Sequence, residues 1–163
     1  MTDPVPSWMV HEILVACGLS EKSPRHRTPC PFCRDTTLFS FGPWHYSCLK
    51  CGRHGSGEDL ADQLPTRYHD DAALAVSLPN KVSRHEAAAL RQTHVEWLRW
   101  QQAMCVQVRS SVWRQLMKAR EGERFADAGR LQDYLEVIDD VDAWGYKLRG
   151  NIPCTTAKDS CAK

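Results

Sequence analysis

The sequence predicts an α+β fold in two parts: a small antiparallel ribbon flanked by short helices, then a C-terminal α-helical hairpin. Three observations carry this. Two Cys-x-x-Cys pairs, Cys30/Cys33 and Cys48/Cys51, stand fourteen residues apart. The segment between them is rich in Thr, Phe, Trp and Tyr, the residues of short strands. From Ser83 onward, apolar residues recur every three or four positions, with no Pro or Gly before Gly122.

The cysteine pairs set the first part. Zinc takes a tetrahedron of soft donors, and a two-residue gap lets one tight turn aim two thiolates at one metal while backbone N–H groups point at the sulfurs. Paired at this separation, Cys30, Cys33, Cys48 and Cys51 read as the ligands of one zinc ion. All four positions are sulfur, so none is open for water or substrate, and the site reads as architecture rather than catalysis. Pro31 shapes the first turn, and Gly52 frees the backbone just after Cys51.

With 163 residues the chain can bury one modest core, or one small domain plus an extension. Its net charge of +1 conceals a segregation. Residues 21–54 hold six Lys/Arg against two acids and residues 81–120 eight against two, whereas residues 121–142 hold eight acids against Arg124 and Arg130. Eight cysteines would fit a secreted disulfide framework, but the N-terminus has no basic leader and its first apolar run, residues 13–19, is too short for a membrane span. Reduced, metal-bound thiols in a cytoplasm are expected instead. Cys17 and Cys105 read as small buried apolar residues, and Cys154 and Cys161 as tail thiols.

Taken in order, Trp8, Met9, Ile13, Leu14 and Cys17 have the spacing of a short helix capped by Ser7 and stopped by Gly18. A basic loop then carries Arg25, His26 and Arg27 to the ribbon edge. Residues 36–41 and 44–46 read as strands joined at Gly42-Pro43, with Phe39 and Phe41 on one face and Leu38 and Ser40 on the other. Ser56 and Asp59 read as a capping box before a helix through Leu60 and Leu64 that Pro65 ends. Residues 1–66 thus form the ribbon domain, 67–82 a linker in which 70–78 can form a brief helix, 83–145 the hairpin and 146–163 a tail.

In the hairpin, Leu90, His94, Trp97, Gln101, Met104/Cys105, Val108, Val112, Leu116 and Ala119 mark the inward stripe of the first helix. Phe125, Ala128, Leu131, Leu135, Ile138 and Val141 mark that of the second. A short turn at Gly122 makes the helices antiparallel, so the basic first can satisfy the acidic second. Trp97 and Trp100 cannot both lie deep in that seam, because three residues subtend most of a turn.

The order of parts carries a resemblance. A short helix, a basic loop, Cys30-Pro31-Phe32-Cys33, the stretch Thr37-Leu38-Phe39, then Tyr46-Ser47-Cys48, and Cys51-Gly52-Arg53-His54-Gly55 before a capped helix are together similar to the zinc-binding domain of bacterial and phage DNA primases. The resemblance covers about residues 8–64, with Cys33 where that family usually has histidine and Thr36 where it has a basic residue. It implies a ribbon that touches single-stranded template beside a separate polymerase domain. The TOPRIM catalytic domain has no counterpart here: Glu121-Gly122 and the acids Asp139-Asp140 fall on helices. The hairpin segment 124–135 has a weaker likeness to helical-hairpin interaction modules of repair nucleases.

Two functions follow as expectations. The first is a non-catalytic module binding single-stranded DNA, with Phe39, Phe41, Trp44 and Tyr46 as a stacking platform and Arg25, Arg27, Arg34, Lys50 and Arg53 on phosphates. It would assist a replication protein such as a primase catalytic subunit or helicase, encoded apart from it as phages and mobile elements do. The second is a zinc-stapled adaptor docking a polymerase, helicase or host factor through Trp97, Trp100 and Trp113, with the helices also offering a surface for homo-oligomers. No membrane partner is expected.

Overall fold

The computed structural model describes residues 10–20, 28–77 and 84–150. Ser7, Trp8, Met9, the loop residues Arg25, His26 and Arg27, and the tail cysteines Cys154 and Cys161 lie outside them. The elements run α1 (Val10–Ala16), β1 (Phe39–Phe41), β2 (His45–Cys48), β3 (His54–Ser56), α2 (Gly57–Gln63), a 3-10 turn (Thr66–Tyr68), α3 (His69–Ser77), α4 (Arg84–Glu121) and α5 (Phe125–Gly150). This is the α+β arrangement: a three-stranded antiparallel sheet in the order β1-β2-β3, short helices and a C-terminal helical pair. Among the described residues no helix is long and apolar enough to cross a membrane.

The sheet alternates sharply between its faces. Pairing sets Phe39 against Cys48 and Phe41 against Tyr46, so these four share one face, while Ser40 and Ser47 share the other. The aromatic face packs on Val10, Ile13 and Leu14 of α1, Leu60 of α2, and Ala72 and Ala75 of α3. One face of α3, through Ala72 and Ala75, packs on the ribbon's core, and this is the brief helix read at 70–78. The capping box forms: Ser56 Oγ accepts from the Asp59 N–H at 3.2 Å, and the Asp59 carboxylate accepts from the Ser56 N–H at 2.7 Å. Strand β3 was outside the expected hairpin because His54-Gly55-Ser56 has no β-branched residue, and only pairing with β2 makes it a strand.

The opposite, polar face is covered by the helical hairpin. Trp97 of α4 donates its indole N–H to Ser40 Oγ at 3.2 Å and lies flat on the β1–β2 turn, where a Cβ on Gly42 would sit 3.0 Å from the ring. His45 stacks on His94 with centroids 5.0 Å apart, and Trp144 of α5 meets His54 at 4.7 Å and His45 at 5.9 Å. Leu38 and Leu49 of the ribbon join a second core with Cys105, Leu116, Leu135 and Ile138 of the helices. Five buried polar atoms on this side, Trp44 Nε1, His45 Nδ1, Ser47 Oγ, His94 Nδ1 and Tyr134 OH, make no hydrogen bond.

Between the helices, the inward stripe of α4 is much as its periodicity predicts. His94, Trp97, Gln101, Cys105, Val112, Leu116 and Ala119 are all buried, with Leu98 added beside Trp97. Arg109 joins Asp139 and Asp142 of α5 at 2.7 and 2.9 Å, so the basic and acidic helices do satisfy each other there. Phe125 is exposed rather than inward, because it is the first residue of α5 and extends past the seam.

Candidate metal centre

Each cysteine pair sits on a turn of the same design. In the first, the Arg34 N–H donates to the Cys30 carbonyl at 2.9 Å and the Cys30 N–H to the Asp35 carbonyl at 2.8 Å. In the second, Gly52 donates to Cys48 at 2.9 Å and Cys48 to Arg53 at 2.8 Å. Both turns end in the left-handed region, Arg34 at φ 64° and Gly52 at φ 76°. Asp35 then launches β1, accepting from the N–H groups of Thr37 and Leu38 at 2.8 and 2.7 Å, and the Leu38 bond foremost holds its carboxyl below the usual range.

The turns face each other and bring four sulfurs together. All four Sγ atoms lie within 4.8 Å of one another, Cys30 to Cys51 at 3.8 Å and Cys33 to Cys48 at 3.7 Å. A tetrahedron with the roughly 2.3 Å metal–sulfur bond of zinc has edges of about 3.8 Å. Those two separations therefore fit one four-coordinate ion. Cys30 and Cys48 are buried, whereas Cys33 is exposed and Cys51 half-buried, so the site lies at the ribbon's edge.

The electrostatics ask for a cation. A hydrogen bond from Cys48 pulls the Cys30 thiol down to about 5, helped by backbone N–H groups of Cys33 and Phe32 and opposed by burial. Cys48, the donor of that bond and buried, is pushed up, and burial raises Cys51 to about 11. Four thiols this close cannot all ionise by themselves, and a divalent ion at their centre removes the mutual repulsion. Backbone N–H groups of Lys50 and Cys51 reach the Cys48 sulfur, and that of Arg53 reaches Cys51, the contacts that orient and stabilise bound thiolates.

Around this centre the other candidate residues separate by depth. Tyr46 is fully buried and Phe39 nearly so, their rings against each other at 6.3 Å. Phe41 is half-buried and stacked on His11, and Trp44 is half-buried against His94. Arg34, Lys50 and Arg53 are exposed, with Arg53 lying over the Phe32 ring at 4.6 Å and Lys50 over Tyr134 of α5 at 5.7 Å. Trp97 is buried on the ribbon, whereas Trp100 and Trp113 are 45% and 51% exposed. The residues that join ribbon to hairpin, His45, His54, Val137 and Trp144, were not foreseen as a group. Each is a single residue in its own segment, and only the placement of α4 and α5 collects them.

No family model matches the chain, and no curated protein or solved structure matches it.

Proposed function

We propose that the chain is a zinc-ribbon protein that binds single-stranded DNA without catalysing a reaction on it, and assists a separate replication partner such as a primase catalytic subunit or a helicase. The observation that carries this is a four-sulfur centre with three exposed cations, Arg34, Lys50 and Arg53, on or beside its turns. The likeness of about residues 8–64 to primase zinc domains supports the same reading, and a reducing cytoplasm would keep the thiolates available for the metal. Zinc is the fitting ion because it is d10, takes four thiolates tetrahedrally and has no redox chemistry to oxidise them.

In this reading phosphate contacts lead and stacking is secondary. Tyr46 and Phe39 have their ring faces against protein, so a base could reach them only if the ribbon core opened. Phe41 and Trp44 keep part of their surface and are the rings left for a base. Three phosphate contacts give a slope of log Kobs against log salt of about −2 on a single strand. Anisotropy of a labelled oligonucleotide should show that slope in the metal-loaded protein. Replacing Arg34, Lys50 and Arg53 together by Gln should flatten it. Binding that is absent below about 100 µM at low salt, or indifferent to salt, would overturn the nucleic-acid reading.

A second reading rests on the exposure of Trp100 and Trp113 on α4. Large exposed aromatics suit an adaptor that docks a polymerase, helicase or host factor. A stoichiometric protein partner recovered after nuclease treatment, from a chain that binds no oligonucleotide, would favour it.

A further inference from the structure

The ribbon and α5 both pack on one side of α4, through Trp97, Gln101, Cys105, Val112 and Leu116. The far side carries a second seam. Ala103, Val106, Ser110, Trp113 and Met117 alternate steps of three and four residues and are all exposed, Val106 at 53%, Trp113 at 51% and Met117 at 38%. That spacing is a coiled-coil stripe over about four turns, and a mostly apolar stripe directed at water costs free energy unless another helix covers it.

The geometry points to a second copy of this chain as the occupant, with the two α4 helices antiparallel across a two-fold axis near residue 108. In that register each bulky seam residue meets a small or flexible one. Trp113 faces Ala103 of the other copy, Val106 faces Ser110, and Met117 lies on the aliphatic stem of Arg99. One step further out, Glu96 faces Arg120, two exposed residues of opposite sign, and the symmetry makes this pair twice. A parallel pairing would set Trp113 on Trp113 and Arg99 and Arg120 on their own copies, which like charge disfavours.

Sedimentation equilibrium of the zinc-loaded chain tests this. A concentration-dependent dimer is expected, and Trp113→Glu should weaken it roughly tenfold or more, with far-UV circular dichroism and metal content unchanged. The register has its own test, which also serves if Trp113→Glu fails to fold. Glu96→Arg should weaken the dimer about twofold, and adding Arg120→Glu should restore it. A chain that stays monomeric at about 100 µM overturns the proposal and leaves the seam to a helix of another protein. A dimer indifferent to Trp113→Glu, or a charge swap without restoration, overturns this interface and register. Neither result bears on oligonucleotide binding, which is read separately.

Discussion

At the level of single residues, the two metal turns are a matched pair with different tolerances. Both need a left-handed residue after the second cysteine, and the chain meets that need with Arg34 in one turn and Gly52 in the other. An L-residue in that region costs about 1–2 kcal/mol. Gly52 also has to be small: a Cβ there would stand 2.9 Å from Cγ1 of Val137 on α5. Gly52→Ala should therefore destabilise the metal-loaded protein by about 2–3 kcal/mol in urea unfolding, combining backbone strain with overpacking. Arg34→Gly, which relieves the same strain at an exposed position, should change stability by less than about 1 kcal/mol. A Gly52→Ala variant as stable as the parent would dismiss the contact between ribbon and α5. The cysteine spacing made the turns legible in the sequence. It could not reveal that one glycine is also a packing site, because Val137 lies 85 positions away in the chain.

Among the elements, the telling junction is the polar face of the sheet against α4 and α5. Strand alternation showed that Ser40 and Leu38 share a face, and helical periodicity showed that His94, Trp97 and Gln101 share another. Nothing in either pattern says that the two faces meet. Their junction is built from rings and leaves five buried polar atoms unpaired, each of which costs free energy. Burial holds both His45 and His94 below the ordinary imidazole range, His94 at about 4 against 6.5 when unfolded. His45 also faces Asp59, whose charge opposes its shift, and His94 faces His45. The folded state then refuses protons that the unfolded chain accepts. Stability should be full above about pH 6.5 and decline as pH falls toward 4. Under saturating metal, His94→Leu should lessen the loss of urea midpoint between pH 7 and pH 5. An undiminished loss would assign the acid sensitivity to other groups.

For the molecule as a whole, two cores share one sheet, and among the described residues the four sulfurs placed to hold a metal belong to the ribbon. Structural zinc contributes on the order of 10–16 kcal/mol to folding such modules, as much as the whole stability of an ordinary domain. The hairpin of 38 and 26 residues keeps its own seam of Cys105, Leu116, Leu135 and Ile138. A strong chelator at neutral pH should therefore abolish the near-ultraviolet signal of Trp44, Tyr46 and Trp97 while most far-ultraviolet helical signal persists. Simultaneous loss of both would mean that Leu38 and Leu49, which the ribbon lends to the second core, are indispensable to the hairpin. The sequence by itself determined the four-cysteine cluster, the capping box, the α+β order and the inward stripe of α4, because each is written in spacings of two to four residues that local geometry converts directly into structure. Only the tertiary structure decided that the hairpin closes over the ribbon's polar face, that Tyr46 and Phe39 are core and that Trp97 is spent inside the chain while Trp113 is left on its surface. Those outcomes depend on which of several apolar surfaces find each other across the chain, and burial of that kind is a property of the assembled molecule.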